Sequence, residues 1–383
     1  MKPYRHPTLL TFSLFVVLIG QGRVQAAKNE TAGKQRPAKV LSSVKEYQDV
    51  RWCDLTKIQV PLSSDLISSF WFNLDTKFGT FTDTGRAILE RGKNPGLGVR
   101  SIHKRGITGR GVNVAIIDQN LCLNHPDYQG KIIQYKDVGS EQPSSRGSMH
   151  APAVLSVLAG QTLGTAPDVR VYFAAAPSWK LDAKYETEAL EWILDVNRSL
   201  PKGSKIKVVS VSGNPSGKDY PFYKNGRVWE KAVEKAKKEG VLVLDFAPHR
   251  GLIEGCYYDS HDPDDLSKCK IGFPAMLVKK QWSNKLIYAP CMFRTTAEEY
   301  DDGKPSYQYI GGIQYSGKGG ESFSIPYVAG VLALGWQVKP NLTADEIVEL
   351  LFNTVYITPD NYKIINPVAF ITAVENLKIP SKK

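Results

Sequence analysis

The chain has 383 residues, of which 42% are hydrophobic, and a formal net charge of +11. This length suits one large domain with an extension, and the apolar content suffices for a large core. The basic residues are spread out and form no aromatic–basic module, which argues against a nucleic-acid partner. The net positive charge favours solubility and is compatible with association with an anionic cell surface. A monomer is expected.

Residues 1–26 have the features of an export signal. Lys2 and Arg5 form a basic start, residues 8–20 form a short apolar core, and residues 24–26 offer the small side chains that precede a cleavage site. The apolar core is too short to span a bilayer comfortably, although an uncleaved anchor stays an alternative. The sequence therefore predicts a signal peptide and a protein that is secreted or associated with the cell surface.

Residues 27–93 carry no recognisable motif. Their first part, 27–45, is polar and Lys-rich and is typical of a flexible lead. Residues 46–93 are rich in Trp and Phe and should fold against another part of the chain. The turn cluster Asn-Pro-Gly-Leu-Gly at 94–98 indicates a boundary. We interpret 27–93 as an N-terminal extension or pro-segment and 94–383 as the main domain.

Short apolar strands alternate with helical stretches after this boundary. Strands are predicted at 112–117, 169–175, 207–211 and 241–244, and helices at 151–159, 186–197, 226–238, 343–355 and 366–377. Apolar strands of this length that alternate with helices indicate βαβ units. The predicted fold is therefore α/β, with a mostly parallel sheet and helices on both faces. In such folds, sites are expected at the carboxyl ends of the strands.

The cysteines and the acidic turns show no metal-site pattern. The five cysteines lack a CxxC or Cys/His spacing, and the acidic turns at 262–265 and 301–303 lack calcium-ligand spacing. We expect no cofactor, with calcium as the alternative that these turns leave open. In an exported protein Cys256 and Cys269 could close a short loop, and the odd count leaves at least one thiol unpaired within the chain.

Residues 322–338 are apolar on every face, which is typical of a buried helix. Pro326 is expected in its first turn, where a missing N–H costs least. Ser322 then lies at the helix N-terminus, where free N–H groups and the positive end of the helix dipole gather. It is either a plain N-cap or a nucleophile that takes its base and acid from elsewhere in the chain.

Two further residues complete a reactive set with Ser322. Asp118 ends the strand Val-Ala-Ile-Ile-Asp, where a buried carboxylate is costly unless it is hydrogen-bonded or paired. His150 opens a helix of small residues. In such a set the serine attacks an acyl carbon, the histidine takes and returns the proton, and the aspartate fixes the histidine tautomer. Each of the three residues alone also fits a purely structural role.

Four segments resemble the subtilisin-like serine peptidases, in that family's chain order Asp, His, Ser. They are Gly-Arg-Gly-Val-Asn-Val-Ala-Ile-Ile-Asp at 109–118, His150 with Gly-Thr-Ala-Pro at 164–167, Val-Ser-Gly at 211–213, and Gly-Glu-Ser-Phe-Ser-Ile-Pro-Tyr-Val-Ala-Gly at 320–330. The resemblance covers residues 95–355 and implies a subtilisin-like fold.

The resemblance also implies functional residues. Asp118, His150 and Ser322 would form the catalytic triad of a serine endopeptidase. Ser212 and Gly213 would pair with the substrate backbone as an added strand.

Several positions depart from the family pattern. Gln119 follows the aspartate where the family has a small residue, and Ala151 follows the histidine where the family has Gly. Glu321 precedes the serine where the family usually has Thr, and its charge could repel an oxyanion or an acidic substrate. The family's oxyanion-hole Asn has no match. His249 falls close to its place, either as a hydrogen-bond donor or as a loop residue without a role.

The sequence thus predicts an exported serine endopeptidase that hydrolyses peptide bonds through an acyl-enzyme. The alternative is a weak or inactive pseudopeptidase that binds peptides on the same fold, suggested by the missing Asn and by Glu321. A third hypothesis, an esterase, explains the triad but leaves the peptide-binding strand unexplained.

Overall fold

The computed structural model describes residues 38–59, 61–140, 148–216, 223–247, 253–271, 286–299, 305–312 and 321–378. The predicted signal peptide at 1–26 and the predicted oxyanion-hole donor His249 lie outside these residues.

Helices and strands alternate between residues 150 and 244, whereas strands predominate from residue 253 to residue 310 in the described part of the chain. The α-helices of the described residues are Ser64–Ser69 (α1), Thr82–Arg91 (α2), Val99–Lys104 (α3), His150–Ala159 (α4), Lys184–Ser199 (α5), Gly226–Lys238 (α6), Glu321–Val338 (α7), Ala344–Asn353 (α8) and Pro367–Asn376 (α9). The strands are Lys39–Val40 (β1), Cys53–Asp54 (β2), Trp71–Asn73 (β3), Asn113–Asp118 (β4), Ile132–Asp137 (β5), Arg170–Ala175 (β6), Ile206–Val211 (β7), Leu242–Leu244 (β8), Ile253–Tyr257 (β9), Lys270–Ile271 (β10), Ile287–Pro290 (β11), Arg294–Glu299 (β12), Pro305–Ile310 (β13), Tyr356–Ile357 (β14) and Lys363–Ile364 (β15).

The central sheet has the strand order β5-β6-β4-β7-β8, and every neighbouring pair is parallel. The carboxyl ends of all five strands therefore meet at one edge. Asp118 is the last residue of the middle strand β4, and Ser212 directly follows the neighbouring strand β7. The sheet topology alone thus brings these two predicted site residues to the same edge.

Helices cover both faces of this sheet, as the sequence predicts. Along β4, Val114 and Ile116 belong to the core formed with α4 and α7, whereas Ala115 and Ile117 belong to the core formed with α5 and α6. This alternation explains why the strand reads as a continuous apolar run, since both of its faces are buried. The predicted α/β fold with a mostly parallel sheet is confirmed.

The edge strand β5 is absent from the sequence prediction. Its residues, Ile-Ile-Gln-Tyr-Lys-Asp, are half-buried or exposed. An edge strand has one neighbouring strand and a solvent-exposed face. It therefore lacks the continuous apolar run that is typical of strands buried on both faces.

The described residues of the N-terminal extension pack against a hairpin in the C-terminal half of the chain, β12–β13. Strand β3 pairs antiparallel with β13, which pairs in turn with β12. Phe70, Phe72 and Phe78 form a separate core that includes Tyr309 of β13. The aromatic residues of this region therefore do fold against another part of the chain, while the boundary near residue 93 stays a prediction.

Helix α7 is buried from Phe323 to Trp336, as its sequence predicts. The expected place of Pro326 is wrong, because it is the sixth residue of the helix and lies in the second turn rather than the first. The helix also packs closely against the segment that follows α4. A Cβ at Gly330 would lie 2.6 Å from the Cβ of Thr165 in that segment. Two predicted site residues, His150 and Ser322, thus begin two helices that pack together.

The remaining sequence predictions concern thiols and membranes. All five cysteines are buried and free, so the suggested Cys256–Cys269 bridge is not formed. In the described part of the chain, no helix is long and apolar enough to cross a membrane.

Candidate active site

Asp118 and His150 form a buried hydrogen-bonded pair. The Nδ1 atom of His150 lies 2.8 Å from Oδ1 of Asp118, and the two residues are only 6% and 7% exposed. An ionised carboxylate can only accept, so the hydrogen lies on Nδ1. In the neutral ring this leaves Nε2 as the acceptor, which is the tautomer that a general base requires.

Backbone groups hold each member of this pair. The N–H of Gln119 donates to Oδ1 of Asp118 at 2.8 Å. The hydroxyl of Ser148 accepts from the N–H groups of His150 and Ala151 at 3.2 and 3.0 Å, which satisfies two free donors at the start of α4. Sequence reasoning missed Ser148, although a serine just before a helix is a recognisable capping signal.

The surroundings of His150 raise its pKa above the ordinary value of 6.5. Burial of the ring lowers the pKa, but the charge of Asp118 and the hydrogen bond to it outweigh that effect. The imidazolium form is therefore stabilised. This is the direction that favours proton uptake during acyl transfer.

Ser322 lies beside this pair, on the first turn of α7. The ring centroids of His150 and Phe323 are 6.2 Å apart, which places the histidine against the residue that follows Ser322. Within the described residues, Nε2 of His150 is buried and has no hydrogen-bond partner. The structure therefore brings the three predicted triad residues into one neighbourhood and shows a hydrogen bond for the Asp118–His150 half.

The end of β7 contacts the same helix turn. The hydroxyl of Ser212 donates to the backbone carbonyl of Ser322 at 2.7 Å. Gly213 donates its N–H to the carbonyl of Val211 at 2.8 Å and accepts from the N–H of Phe246 at 3.0 Å. The predicted pairing of these residues with a substrate strand stays a prediction, and the backbone of Gly213 already serves the chain's own structure.

Two acidic side chains, Glu321 and Glu254, interact close to the start of α7. Burial, together with the charge of Glu321, raises the pKa of Glu254 on β9 to about 7. A Cβ at Gly255 would lie 3.5 Å from Cγ of Glu321, so the Glu321 side chain reaches this strand. The side chain that precedes Ser322 is thus directed towards β9 and shares its negative surroundings with a second acid that sequence reasoning missed.

Metal ligands are not grouped around this site. Among the described residues, no group of three or more His, Cys, Asp and Glu side chains could hold a metal ion. The acidic turn at 262–265 uses its carboxylates internally, since Asp264 accepts from the N–H of Gly98 at 2.8 Å and Asp262 lies 2.9 Å from the Lys268 ammonium.

Comparison with known proteins agrees with this arrangement. The sequence model of the subtilase family matches residues 109–245, a segment that contains Asp118, His150 and Ser212 and ends before Ser322. Serine protease AprX of Bacillus subtilis is 27% identical over 282 residues, which is 64% of this chain and 62% of that protein. This chain is therefore similar to the subtilisin-like family over the segment that carries Asp118 and His150.

Other relatives of this subtilisin-like chain show the breadth of the similarity. The major intracellular serine protease of Bacillus subtilis is 26% identical over 247 residues, covering 60% of this chain and 70% of that protein. Fervidolysin from Fervidobacterium pennivorans, a keratinolytic enzyme related to subtilisin, superposes with a TM-score of 0.51 at 15% identity over 75% of this chain and 46% of that one. At that identity the superposition supports the subtilisin-like fold alone.

The chain spans 62% of the length of AprX, less than two thirds of it. One of the similar proteins is named as an intracellular protease, so the similarity by itself does not fix the compartment of this chain.

Proposed function

We propose that this protein is a serine endopeptidase that hydrolyses peptide bonds with Asp118, His150 and Ser322. The observation that carries the proposal is the buried 2.8 Å bond between His150 Nδ1 and Asp118, which leaves Nε2 buried and unpaired in a ring that lies against Phe323, the residue after Ser322. An unpaired buried imidazole nitrogen is unfavourable in a purely structural site and is what a proton acceptor requires.

In the proposed reaction the hydroxyl oxygen of Ser322 forms a bond to the substrate carbonyl carbon while its proton moves to Nε2 of His150. The carbon–nitrogen bond then breaks, and the same proton passes to the leaving amine. Water repeats these two steps to hydrolyse the acyl-enzyme. Asp118 stays ionised and stabilises the imidazolium, in agreement with the raised pKa of His150.

The developing oxyanion requires hydrogen-bond donors. The backbone N–H of Ser322 is the first proposed donor, and His249 is the proposed second donor. Losing one donor of this kind costs about 10²–10³ in rate. If His249 does not donate, the chain would be slower than a typical relative by this factor and still active.

Other properties belong to the same proposal. We propose a protein or peptide substrate, no cofactor and a monomeric enzyme. Export rests on the signal-like residues 1–26 and would lead to secretion or to cell-surface association. Residues 27–93 are either a pro-segment or a lasting extension. A pro-segment predicts self-cleavage between residues 90 and 100, and a fully active intact chain would contradict it.

Labelling with a fluorophosphonate tests the function directly. Protein purified from cells that express the full chain is treated with the probe beside a Ser322→Ala variant, and the modified peptide is mapped by mass spectrometry. We expect label on Ser322 that the variant lacks. Ser324→Ala is a matched control, because it removes a hydroxyl two residues further along α7, and it should label like the parent. A folded protein that takes no label would overturn the proposal and favour the peptide-binding alternative.

A further inference from the structure

The carbonyl of Ser322 lacks its usual helical partner. In an α-helix the N–H of residue 326 donates to the carbonyl of residue 322, but Pro326 has no N–H. The proline ring also crowds the carbonyl four residues earlier, which tilts it away from the helix axis. The sequence alone therefore leaves the backbone at the proposed nucleophile without one hydrogen bond.

Ser212 supplies the missing donor. Its hydroxyl lies 2.7 Å from the carbonyl oxygen of Ser322, a normal distance for this kind of bond. Ser212 follows β7 directly and is half-buried, so the donor comes from the carboxyl edge of the central sheet. A side chain from a rigid strand thus replaces the N–H that Pro326 lacks.

A second hydroxyl holds the same turn from the opposite side. Ser324 donates to the carbonyl of Ala289 on β11 at 2.9 Å and is fully buried. Ser324 therefore anchors α7 to β11, whereas Ser212 bonds to the carbonyl of Ser322 itself. Only the bond from Ser212 ends on the residue that is proposed to react.

We propose that Ser212 is a positioning residue for Ser322, acting through the carbonyl that Pro326 leaves without a helical donor. The inference rests on the proposed function and goes beyond it, because it gives the Ser212 side chain a role separate from substrate pairing. The hydroxyl fixes the backbone of the nucleophile relative to His150. Without it, the first turn of α7 can rotate and the serine oxygen spends less time in line with Nε2.

The test measures the rate of fluorophosphonate labelling at Ser322 and separates the limiting rate from the half-saturating probe concentration. We expect Ser212→Ala to lower the limiting rate about tenfold, the worth of one hydrogen bond, with the half-saturating concentration little changed. Ser212→Thr keeps the hydroxyl and should restore most of the rate. Ser324→Ala, the matched control, should change thermal stability and leave the limiting rate near that of the parent.

Pro326→Ala makes the test specific. The alanine restores an N–H that can donate to the Ser322 carbonyl, so Ser212→Ala should cost much less in the Pro326→Ala background than in the parent. An equal loss in both backgrounds, or a change confined to the half-saturating probe concentration, would overturn the inference. Failure of the proposed function looks different, because the unaltered protein would then take no label on Ser322.

Discussion

The two halves of the candidate site are held in different ways. Asp118 and His150 are joined by a direct hydrogen bond between the end of β4 and the start of α4, and both residues are buried. Ser322 is half-buried on α7 and is held by a bond from Ser212 to its backbone. The match to the subtilase family covers the first half and ends before the second.

This difference suggests how the site would work. In the proposed mechanism the acid–base half is already oriented, because Asp118 and His150 are buried and hydrogen-bonded to each other. The proposed nucleophile lies on a helix turn in which Pro326 removes one backbone hydrogen bond and the Ser212 hydroxyl replaces it. Orientation of the base is therefore expected to tolerate small changes, whereas orientation of the nucleophile should be sensitive to them.

Removing the reactive group of either half should have the largest effect. We expect His150→Ala and Ser322→Ala each to lower kcat on a cleaved peptide by about 10⁶-fold, the size that such losses have in subtilisin itself. The double variant should be no worse than either single one, because the two groups act in one proton transfer. Additive losses in a kinetic double-mutant cycle would show that the halves act independently.

Asp118→Asn tests the bond within the first half. An amide can donate to Nδ1 and so favours the wrong tautomer, and we expect kcat to fall about 10⁴-fold. Asp168→Asn provides the control, since Asp168 precedes β6 at the opposite edge of the sheet and bonds to Thr108. Equal activity of the two variants would contradict the assignment of Asp118.

The pH profile tests the same half without altering its shape. His150 must be neutral to accept a proton, so activity should fall on the acidic side with an apparent pKa above 6.5. The contribution of His150 to the stability of the folded state has the opposite pH dependence. A raised pKa in the folded state gives a stabilising contribution that is complete below 6.5 and is lost as the pH rises through the folded-state pKa. An acidic limb below 6.5 in kcat/KM measurements would contradict the stabilised imidazolium.

Ser148→Ala should have the smallest effect on the reaction. It removes the hydroxyl that accepts from the first two N–H groups of α4, and we expect a loss of about 1 kcal/mol in the free energy of unfolding. Labelling should stay within about threefold of the parent, because Asp118 still orients the ring. Ser63→Ala, which uncaps α1 far from the site, is the matched control in urea unfolding. A large rate loss for Ser148→Ala alone would show that the first half is less robust than proposed.

Periodic segments of the sequence predicted most of the fold. The four predicted strands and the buried helix agree with β4, β6, β7, β8 and α7 within two residues at each end. These elements are largely buried, so their sequences are continuous apolar runs. Such runs can be predicted from the sequence alone. The edge strand β5 and the small sheets around β9 and β12 escaped prediction, because their residues mix polar and apolar types.

The residues of the candidate site also fall into two groups, those that the sequence predicted and those that it did not. The sequence identified Asp118, His150 and Ser322 because each ends or begins a buried element, where a polar group is costly unless it has a partner. It did not identify Ser148, despite its capping signal, or Glu254, which lies in a strand that mixes polar and apolar residues. It also placed Pro326 in the wrong turn, since the cost of an internal proline depends on whether another group satisfies the freed carbonyl.

By itself, the sequence determined the elements of this protein, their order and the chemistry of the residues at their ends. These depend on local periodicity and side-chain type, which the chain carries wherever it folds. Only the tertiary structure decided that Asp118 bonds to His150, that the unpaired Nε2 lies beside the turn of Ser322, and that Ser212 holds that turn. Such contacts join residues 32 and 110 positions apart, and their distances follow from the packing of the sheet and the helices.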